Sequence, residues 1–218
     1  MNVTLLFSLL LASILFWVFI VSKLQEKPWL DKSVAPSDQF MSYPSQQIGL
    51  WVFMAVASSL FMLFIVIYSE RATFSDWVKL DDPSLLWLNT AILALSSVVM
   101  QLANNLAGQH KKQIRYMWVA FFLTTLFVVG QFLAWVELND AGIYLKTNPA
   151  NSFFYLFTLL HAIHLFGGMV ALARVLVRKH TDEIERDSST TLSIKLCTTY
   201  WHFLLLLWLA LFYFLVTT

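Results

Sequence analysis

Three histidines lie in apolar stretches of this sequence, where an imidazole could ligate a metal or haem, carry a proton, or only pack. His161 and His164 are three residues apart in one stretch, and His202 lies in the next. Imidazole is the commonest metal ligand and titrates near neutral pH. Ionisable groups in segments apolar enough for a membrane are candidates for function.

The spacing of the first two histidines predicts a helix contact. At about 100° per residue, His161, His164, Gly168 and Ala171 share one face of a helix. The small residues would let a second helix approach closely, and the imidazoles would hydrogen-bond across the contact. We interpret these histidines, and His202, as packed side chains; a lipid head-group or cofactor site is the alternative. A metal site is less favoured because no carboxylate or thiol accompanies the pair.

The few ionisable residues in the apolar stretches exclude several kinds of reaction centre. A haem–copper core needs more histidines than three, and a cytochrome b bundle needs paired axial ligands on facing helices. A di-iron bundle needs Glu-x-x-His, which the apolar stretches lack. These stretches contain no proline and, apart from Glu137, no acid, so a pump or ion-coupled carrier is disfavoured. We predict no catalytic, cofactor-binding or metal-binding residue in this chain.

One polar column keeps a remote alternative open. Asn89 and Ser96 are seven residues apart and so lie on one face, and Thr90 and Ser97 repeat that spacing beside them. We interpret the column as interhelical hydrogen bonding, and Gly167-Gly168 as a tight helix contact. A free-standing carrier of a small solute would also explain a polar column beside a histidine face.

Six apolar stretches must position these residues. They lie at 2–21, 48–68, 85–107, 116–138, 153–176 and 196–216, and each has the roughly 20 residues that cross a bilayer. The composition is 59% hydrophobic and 12% charged, with mean hydropathy +0.69, against about 25% charged in soluble domains. The sequence predicts an all-α integral membrane protein, a bundle of about six transmembrane helices.

The connections predict the domain organisation and the orientation. We expect an N-terminal transmembrane helix at 1–22, retained rather than cleaved, a cytoplasmic linker at 23–47, and a five-helix core at 48–218. Most Lys and Arg residues lie in the connections after the first, third and fifth spans. The positive-inside rule then places those connections in the cytoplasm and both termini outside. The net charge of +1 gives no basic surface for nucleic acid.

Five ordered blocks make residues 48–218 resemble subunit III of the haem–copper terminal oxidases. The blocks are Gly49-Leu50-Trp51-Val52-Phe53; Leu86-Trp87-Leu88-Asn89-Thr90 with Ser96-Ser97; Gln131 with Trp135 and Leu138; Asn148-Pro149, Ser152-Phe153-Phe154, His161-x-x-His164 and Gly167-Gly168; and Tyr200-Trp201-His202-Phe203 with Trp208. The chain departs from the family at Val56-Ala57, where many members have Ser-Glu, and at Leu205, where many have Asp. A role that depends on those acids is therefore not expected.

The resemblance implies a non-catalytic, cofactor-free subunit of a bacterial cytochrome c oxidase in the inner membrane. Its partners would be the catalytic subunit I, the other oxidase subunits and phospholipids, and the partner subunits would hold haem and copper. A quinol oxidase subunit III or a nitric oxide reductase accessory subunit are the alternatives. The candidate lipid-contact or helix-contact residues are His161, His164, Gly168, His202, Trp51 and Asn89.

Overall fold

The computed structural model describes residues 15, 16, 19, 44–78, 85–106, 109–140, 142, 144, 148–181 and 188–217. The predicted N-terminal helix, three residues aside, and the predicted linker up to residue 43 lie outside the described residues. Side chains are described for the helical residues outside 178–190.

The described chain consists of five long α-helices. They are α1 (Ser45–Arg71), α2 (Leu85–Asn105), α3 (His110–Asp140), α4 (Pro149–Thr181) and α5 (Ser188–Thr217). Each contains a segment long and apolar enough to cross a membrane. The predicted class, an all-α membrane protein, is confirmed for the described residues, and the sixth predicted helix is outside them.

Four of the five helices extend beyond the predicted spans, whereas α2 ends at Asn105, two residues before the predicted end. α3 begins at His110 rather than at residue 116, because Lys111, Lys112 and Arg115 continue the helix. Hydropathy marks only the part of a helix that the hydrocarbon core covers, whereas the backbone hydrogen bonds continue into the polar region. The charged first turns of α3 are exposed, apart from the buried Gln113 and the half-buried Ile114.

The chain divides into two compact units, Met1–Val66 and Ile67–Thr218. The described part of the first unit is mainly α1 up to Val66. In the second unit α2 packs against α3, α3 against α4, α4 against α5, and α5 against α2, which closes a ring of four helices. The short connections make successive helices antiparallel neighbours.

Small residues allow the ring to pack tightly. Ala103 on α2 and Ala120 and Ala134 on α3 are fully buried. Such residues let helix backbones approach closely in a membrane, where van der Waals packing drives association. Large apolar side chains cover the outside of the helices, as expected for surfaces that face lipid or another membrane subunit.

The segment after α1 carries a surface ion pair. The guanidinium of Arg71 donates to both carboxylate oxygens of Asp76, with Nη1–Oδ1 at 2.7 Å, and lies 5.0 Å from the ring centre of Phe74. This bond lowers the pKa of Asp76. Nearby, the ring of Tyr68 contacts the ring of Trp77 at 5.0 Å.

Candidate functional site

Hydrogen-bonded hydroxyls and an indole form one polar layer inside the ring, which we call the hydroxyl layer (Ser96, Thr124 and Trp201). Ser96 Oγ lies 2.8 Å from Thr124 Oγ1, and Trp201 Nε1 donates to both oxygens at 3.2 Å. Both hydroxyls also lie within 3.0 Å of the Ala120 carbonyl oxygen. Every polar side-chain atom of this layer therefore has a protein partner.

Gly168 on α4 completes the wall of this layer. A Cβ at Gly168 would lie 2.9 Å from Tyr200 Cε1 and 3.3 Å from Trp201 Cζ3, so only glycine lets α4 approach α5 this closely. The neighbouring Gly167 has open space around its would-be Cβ. The predicted tight contact is thus made by Gly168 and not by Gly167.

A second polar layer lies seven residues away on each of the four helices. We call it the amide layer (Asn89, Gln131, His161 and Trp208); these residues are seven positions from Ser96, Thr124, Gly168 and Trp201 respectively. Seven residues are almost two helical turns, so the layers share one face of each helix and are separated by about 10 Å. The amide-layer residue precedes the hydroxyl-layer residue in the sequence of α2 and α4 and follows it in α3 and α5. This alternation is expected for successive helices that run in opposite directions.

Aromatic rings enclose the imidazole of the amide layer. The ring of His161 lies 5.1 Å from the Trp208 ring and 5.9 Å, edge to face, from Phe127. Trp208 Nε1 donates to Thr90 Oγ1 at 2.9 Å. Gln131 follows Phe127 by one turn on α3 and precedes Trp135 by one turn, and Trp135 Nε1 donates to Thr158 on α4 at 3.0 Å. Gln131 therefore lies on the α3 face that packs against α4 near His161.

Asn89 reaches the same interior because α3 has a glycine opposite it. A Cβ at Gly130 would lie 2.1 Å from Asn89 Oδ1 and 2.9 Å from its Cγ. The carboxamide thus occupies the volume that any larger residue would fill. Glycine inside a helix costs about 0.5–1 kcal/mol relative to alanine, and at position 130 it makes room for the Asn89 carboxamide.

Three of the four side chains of the amide layer have no hydrogen-bond partner in the described part of the protein. Asn89 is 1% exposed, Gln131 3% and His161 0%. Among the residues that the structure describes, none forms a hydrogen bond with either side-chain polar atom of Asn89 or of Gln131, or with either ring nitrogen of His161. Six buried polar atoms thus surround one level of the bundle without a protein partner.

His202 belongs to a third, half-buried chain of hydrogen bonds. Its Nδ1 lies 2.6 Å from Ser97 Oγ, and its Nε2 lies 2.9 Å from Gln101 Oε1. Gln101 Nε2 donates to Asn105 Oδ1 at 2.9 Å. The Gln101 oxygen can only accept, so Nε2 of His202 donates to it, and in the neutral imidazole Nδ1 accepts from the Ser97 hydroxyl.

The predicted histidine face is only partly correct. His161 and Gly168 are buried, His164 is half-buried and Ala171 is exposed, because the positions spread over about 80° of the helix surface. The predicted cross-helix bond is wrong for His161, whose ring nitrogens have no described partner. His164 Nδ1 donates to the Leu160 carbonyl of its own helix at 2.7 Å. The two imidazoles therefore have different surroundings: His161 is fully buried, whereas the half-buried His164 bonds the backbone of its own helix.

The polar column on α2 is largely as predicted. Thr90, Ser96 and Ser97 each hydrogen-bond to another helix, which confirms that interpretation, whereas for Asn89 it is wrong within the described part of the chain. Thr124 is not among the residues predicted above from the sequence. The signal was available, since Thr124 and Gln131 repeat on α3 the seven-residue spacing of α2.

The remaining candidate positions lie outside both layers. Trp51 is on α1 and 39% exposed. At the positions where the resemblance expects acids, Val56 is exposed, Ala57 is buried and Leu205 is half-buried. Within the described residues, no three His, Cys, Asp or Glu side chains come close enough together to hold a metal ion.

A family comparison covers most of the chain. Residues 45–217 match the family model described as cytochrome c oxidase subunit III. This match begins where α1 begins and ends with α5, so it includes all five described helices.

Curated relatives agree with the family model. The chain is 27% identical over 125 residues to a probable cytochrome c oxidase subunit 3 of Nocardia farcinica, covering 56% of this chain and only 61% of that protein. It is 28% identical over 176 residues to cytochrome c oxidase subunit 3 of Thermostichus vulcanus, covering 76% and 83%. It is 27% identical over 178 residues to cytochrome bo(3) ubiquinol oxidase subunit 3 of Buchnera aphidicola, covering 76% and 90%. The chain belongs to the cytochrome c oxidase subunit III family.

Proposed function

We propose that this chain is the non-catalytic, cofactor-free third subunit of a bacterial aerobic cytochrome c oxidase. It stabilises the catalytic subunit I, contacts the other oxidase subunits and binds structural phospholipid. Haem and copper, and the proton translocation coupled to oxygen reduction, belong to its partners.

The packed interior of the four-helix ring carries this proposal. Trp201 and Trp208 fill the interior with rings 1% and 0% exposed, and both donate their indole N–H groups to hydroxyls on other helices. The buried polar side chains of the described residues are hydroxyls, amides and one imidazole. An interior of that kind supports a scaffold, because proton relays within membranes use carboxylates and histidine chains.

Cytochrome c is the donor favoured by the names of most of the relatives. The ubiquinol oxidase relative keeps a quinol-oxidising complex as the second candidate, and its match covers 90% of that protein. The difference between the donors resides in the partner subunits, because the sequence and the site of this chain are compatible with both.

Exposure separates the candidate contact residues into two groups. Trp51 and the half-buried His202 reach the surface of their helices, and we assign them to contacts with lipid or with a partner subunit. His161, Gly168 and Asn89 support the interior of the ring.

The orientation follows from the basic connections, which lie on the cytoplasmic side of the inner membrane, so that both termini lie outside. Alkaline phosphatase fused at either terminus should therefore be active. An inactive fusion would contradict this orientation.

Co-purification from the native host tests the proposal. The tagged chain is extracted in a mild detergent, a reduced-minus-oxidised spectrum is recorded, and the co-purifying proteins are identified by mass spectrometry. We expect haem bands and a large, histidine-rich membrane partner. A colourless, stable and solitary protein would contradict the proposal and favour the solute carrier.

A deletion strain identifies the donor and the role. Membranes without the chain should consume oxygen more slowly, or inactivate faster during turnover, with reduced cytochrome c as donor. The same chain restored from a plasmid is the control. A defect seen only with ubiquinol would assign the chain to a quinol oxidase.

A further inference from the structure

The residues that carry the unpartnered polar atoms of the amide layer lie at one level of the bundle. Asn89 lies against Gly130, the residue before Gln131. Phe127 is one turn before Gln131 and contacts His161, and Trp208 contacts both rings. Residues from α2, α3 and α4 therefore surround the same part of the interior.

These groups have a chemistry that selects a neutral hydrogen-bonding ligand. Each carboxamide offers two donor hydrogens and one acceptor oxygen, and a neutral imidazole offers one donor and one acceptor. The layer has no charged residue to balance an ion. Two amides and one imidazole are also a poor ligand set for a metal.

Unpartnered burial would be costly at this depth. In a membrane, each unsatisfied polar group lacks the surrounding water that could replace a lost bond. Buried polar groups in native proteins are therefore paired with protein or with ordered water, and a buried water makes about three hydrogen bonds. Three side chains on three helices match that requirement.

We propose that the amide layer is a water-binding site, in which ordered water bridges Asn89, Gln131 and His161 across α2, α3 and α4. The ordered waters of the site accept from the amide N–H groups and from the protonated ring nitrogen of His161, and they donate to the amide oxygens and to the other ring nitrogen. More than one molecule is needed to bond all six atoms, because one water donates only two hydrogen bonds and makes about three in total. The site goes beyond the proposed scaffold role and does not depend on which oxidase the chain joins.

Water-edited solid-state NMR tests the site directly. The full chain, with ¹⁵N in the histidine rings and in the tryptophan indoles, is reconstituted in vesicles of phosphatidylethanolamine and phosphatidylglycerol. We expect magnetisation from water to reach the His161 ring sooner than the Trp201 indole. Trp201 is the matched reference because it is equally buried but bonded to Ser96 and Thr124. Equal or slower build-up at His161 would overturn the proposal.

His161→Phe assigns the imidazole signal and Trp201→Phe the indole signal. If His161→Phe cannot be purified, His161 is assigned by elimination. Each of the other four histidine signals is identified by its loss in one variant: His110→Gln, His164→Gln, His180→Gln or His202→Gln.

The sign of a stability change gives an independent test. Gln131→Met keeps the length of the side chain but removes its hydrogen bonds. With bridging water, the melting temperature of the full chain should fall by about 2–4 °C, because the water loses a partner. An unchanged or higher melting temperature would mean that the amide is unpaired in a dry interior, and would overturn the proposal.

Discussion

The hydroxyl layer and the amide layer use the same helices, with the same spacing and similar burial, yet differ in their hydrogen bonding. In the hydroxyl layer, Ser96 and Thr124 are short enough to bond one another and a backbone carbonyl. In the amide layer, Asn89 and Gln131 have more donors and acceptors than the facing helices supply. Short hydroxyl groups therefore satisfy one another within this bundle, whereas the longer carboxamides keep polar atoms without a partner among the described residues.

The largest effect should come from filling the close approach beside the hydroxyl layer. Gly168→Leu places a branched side chain where a Cβ already lies 2.9 Å from Tyr200. We expect destabilisation of about 3 kcal/mol or more and weaker assembly with partner subunits, because overpacking separates α4 from α5. Thermal unfolding of the full chain in detergent measures the first effect, and the yield of intact complex the second.

Gly167→Leu is the matched control for unfolding, because its would-be Cβ has no neighbour within 4 Å. Equal melting temperatures for the two variants would contradict the close packing of α4 on the hydroxyl layer.

Removing one hydroxyl should have the next largest effect. Thr124→Val leaves Ser96 and Trp201 Nε1 with one partner fewer. We expect a loss of about 1–2 kcal/mol, at the upper end for interhelical hydrogen bonds in membrane proteins. Thr125→Val is the control on the same helix, since the Thr125 hydroxyl bonds the Phe121 carbonyl of α3 and, within the described residues, no other helix. Chemical unfolding measures the difference in unfolding free energy between the two variants. A difference near zero would contradict a closed hydrogen-bond network in the hydroxyl layer.

The same change next to the amide layer should cost less. Thr90→Val removes the acceptor for Trp208 Nε1. The expected loss is about 1 kcal/mol, the lower end of the cost of leaving a buried donor unpaired, because a single cross-helix bond is removed. Thr90→Ser, which keeps the hydroxyl, should unfold like the wild type. A cost for Thr90→Val as large as that for Thr124→Val would remove the distinction between the layers.

The smallest effect should lie outside both layers, at the exposed Arg71–Asp76 pair. Because Arg71 lowers the pKa of Asp76, the pair stabilises the fold above the carboxyl's unfolded pKa. That contribution is lost as the pH falls through the lowered folded value. Asp76→Asn should therefore melt slightly below the wild type at pH 7 and together with it in strong acid. A difference that persists in acid would show that the effect is not ionic.

The sequence predicts the helices of this fold better than their interior contacts. Hydropathy finds α1 to α5 because a bilayer requires long apolar segments, but it misses the charged first turns of α3, where helical backbone continues outside the hydrocarbon. Residue spacing predicts the interhelical hydrogen bonds of Ser96 and Ser97, because residues seven apart share a helix face. The same reasoning predicts a wrong hydrogen bond for His161, because the face of one helix does not specify which groups lie opposite it.

Seven-residue spacing on four helices also limits where the chain can change length. One residue inserted between the layers, for example between Asn89 and Ser96, would rotate one layer by about 100° relative to the other and shift it by about 1.5 Å. Polar side chains would then face lipid, and apolar ones would face the hydroxyls of the neighbouring helices. Insertions and deletions should therefore be tolerated in the connections and rejected within the two turns that join the layers.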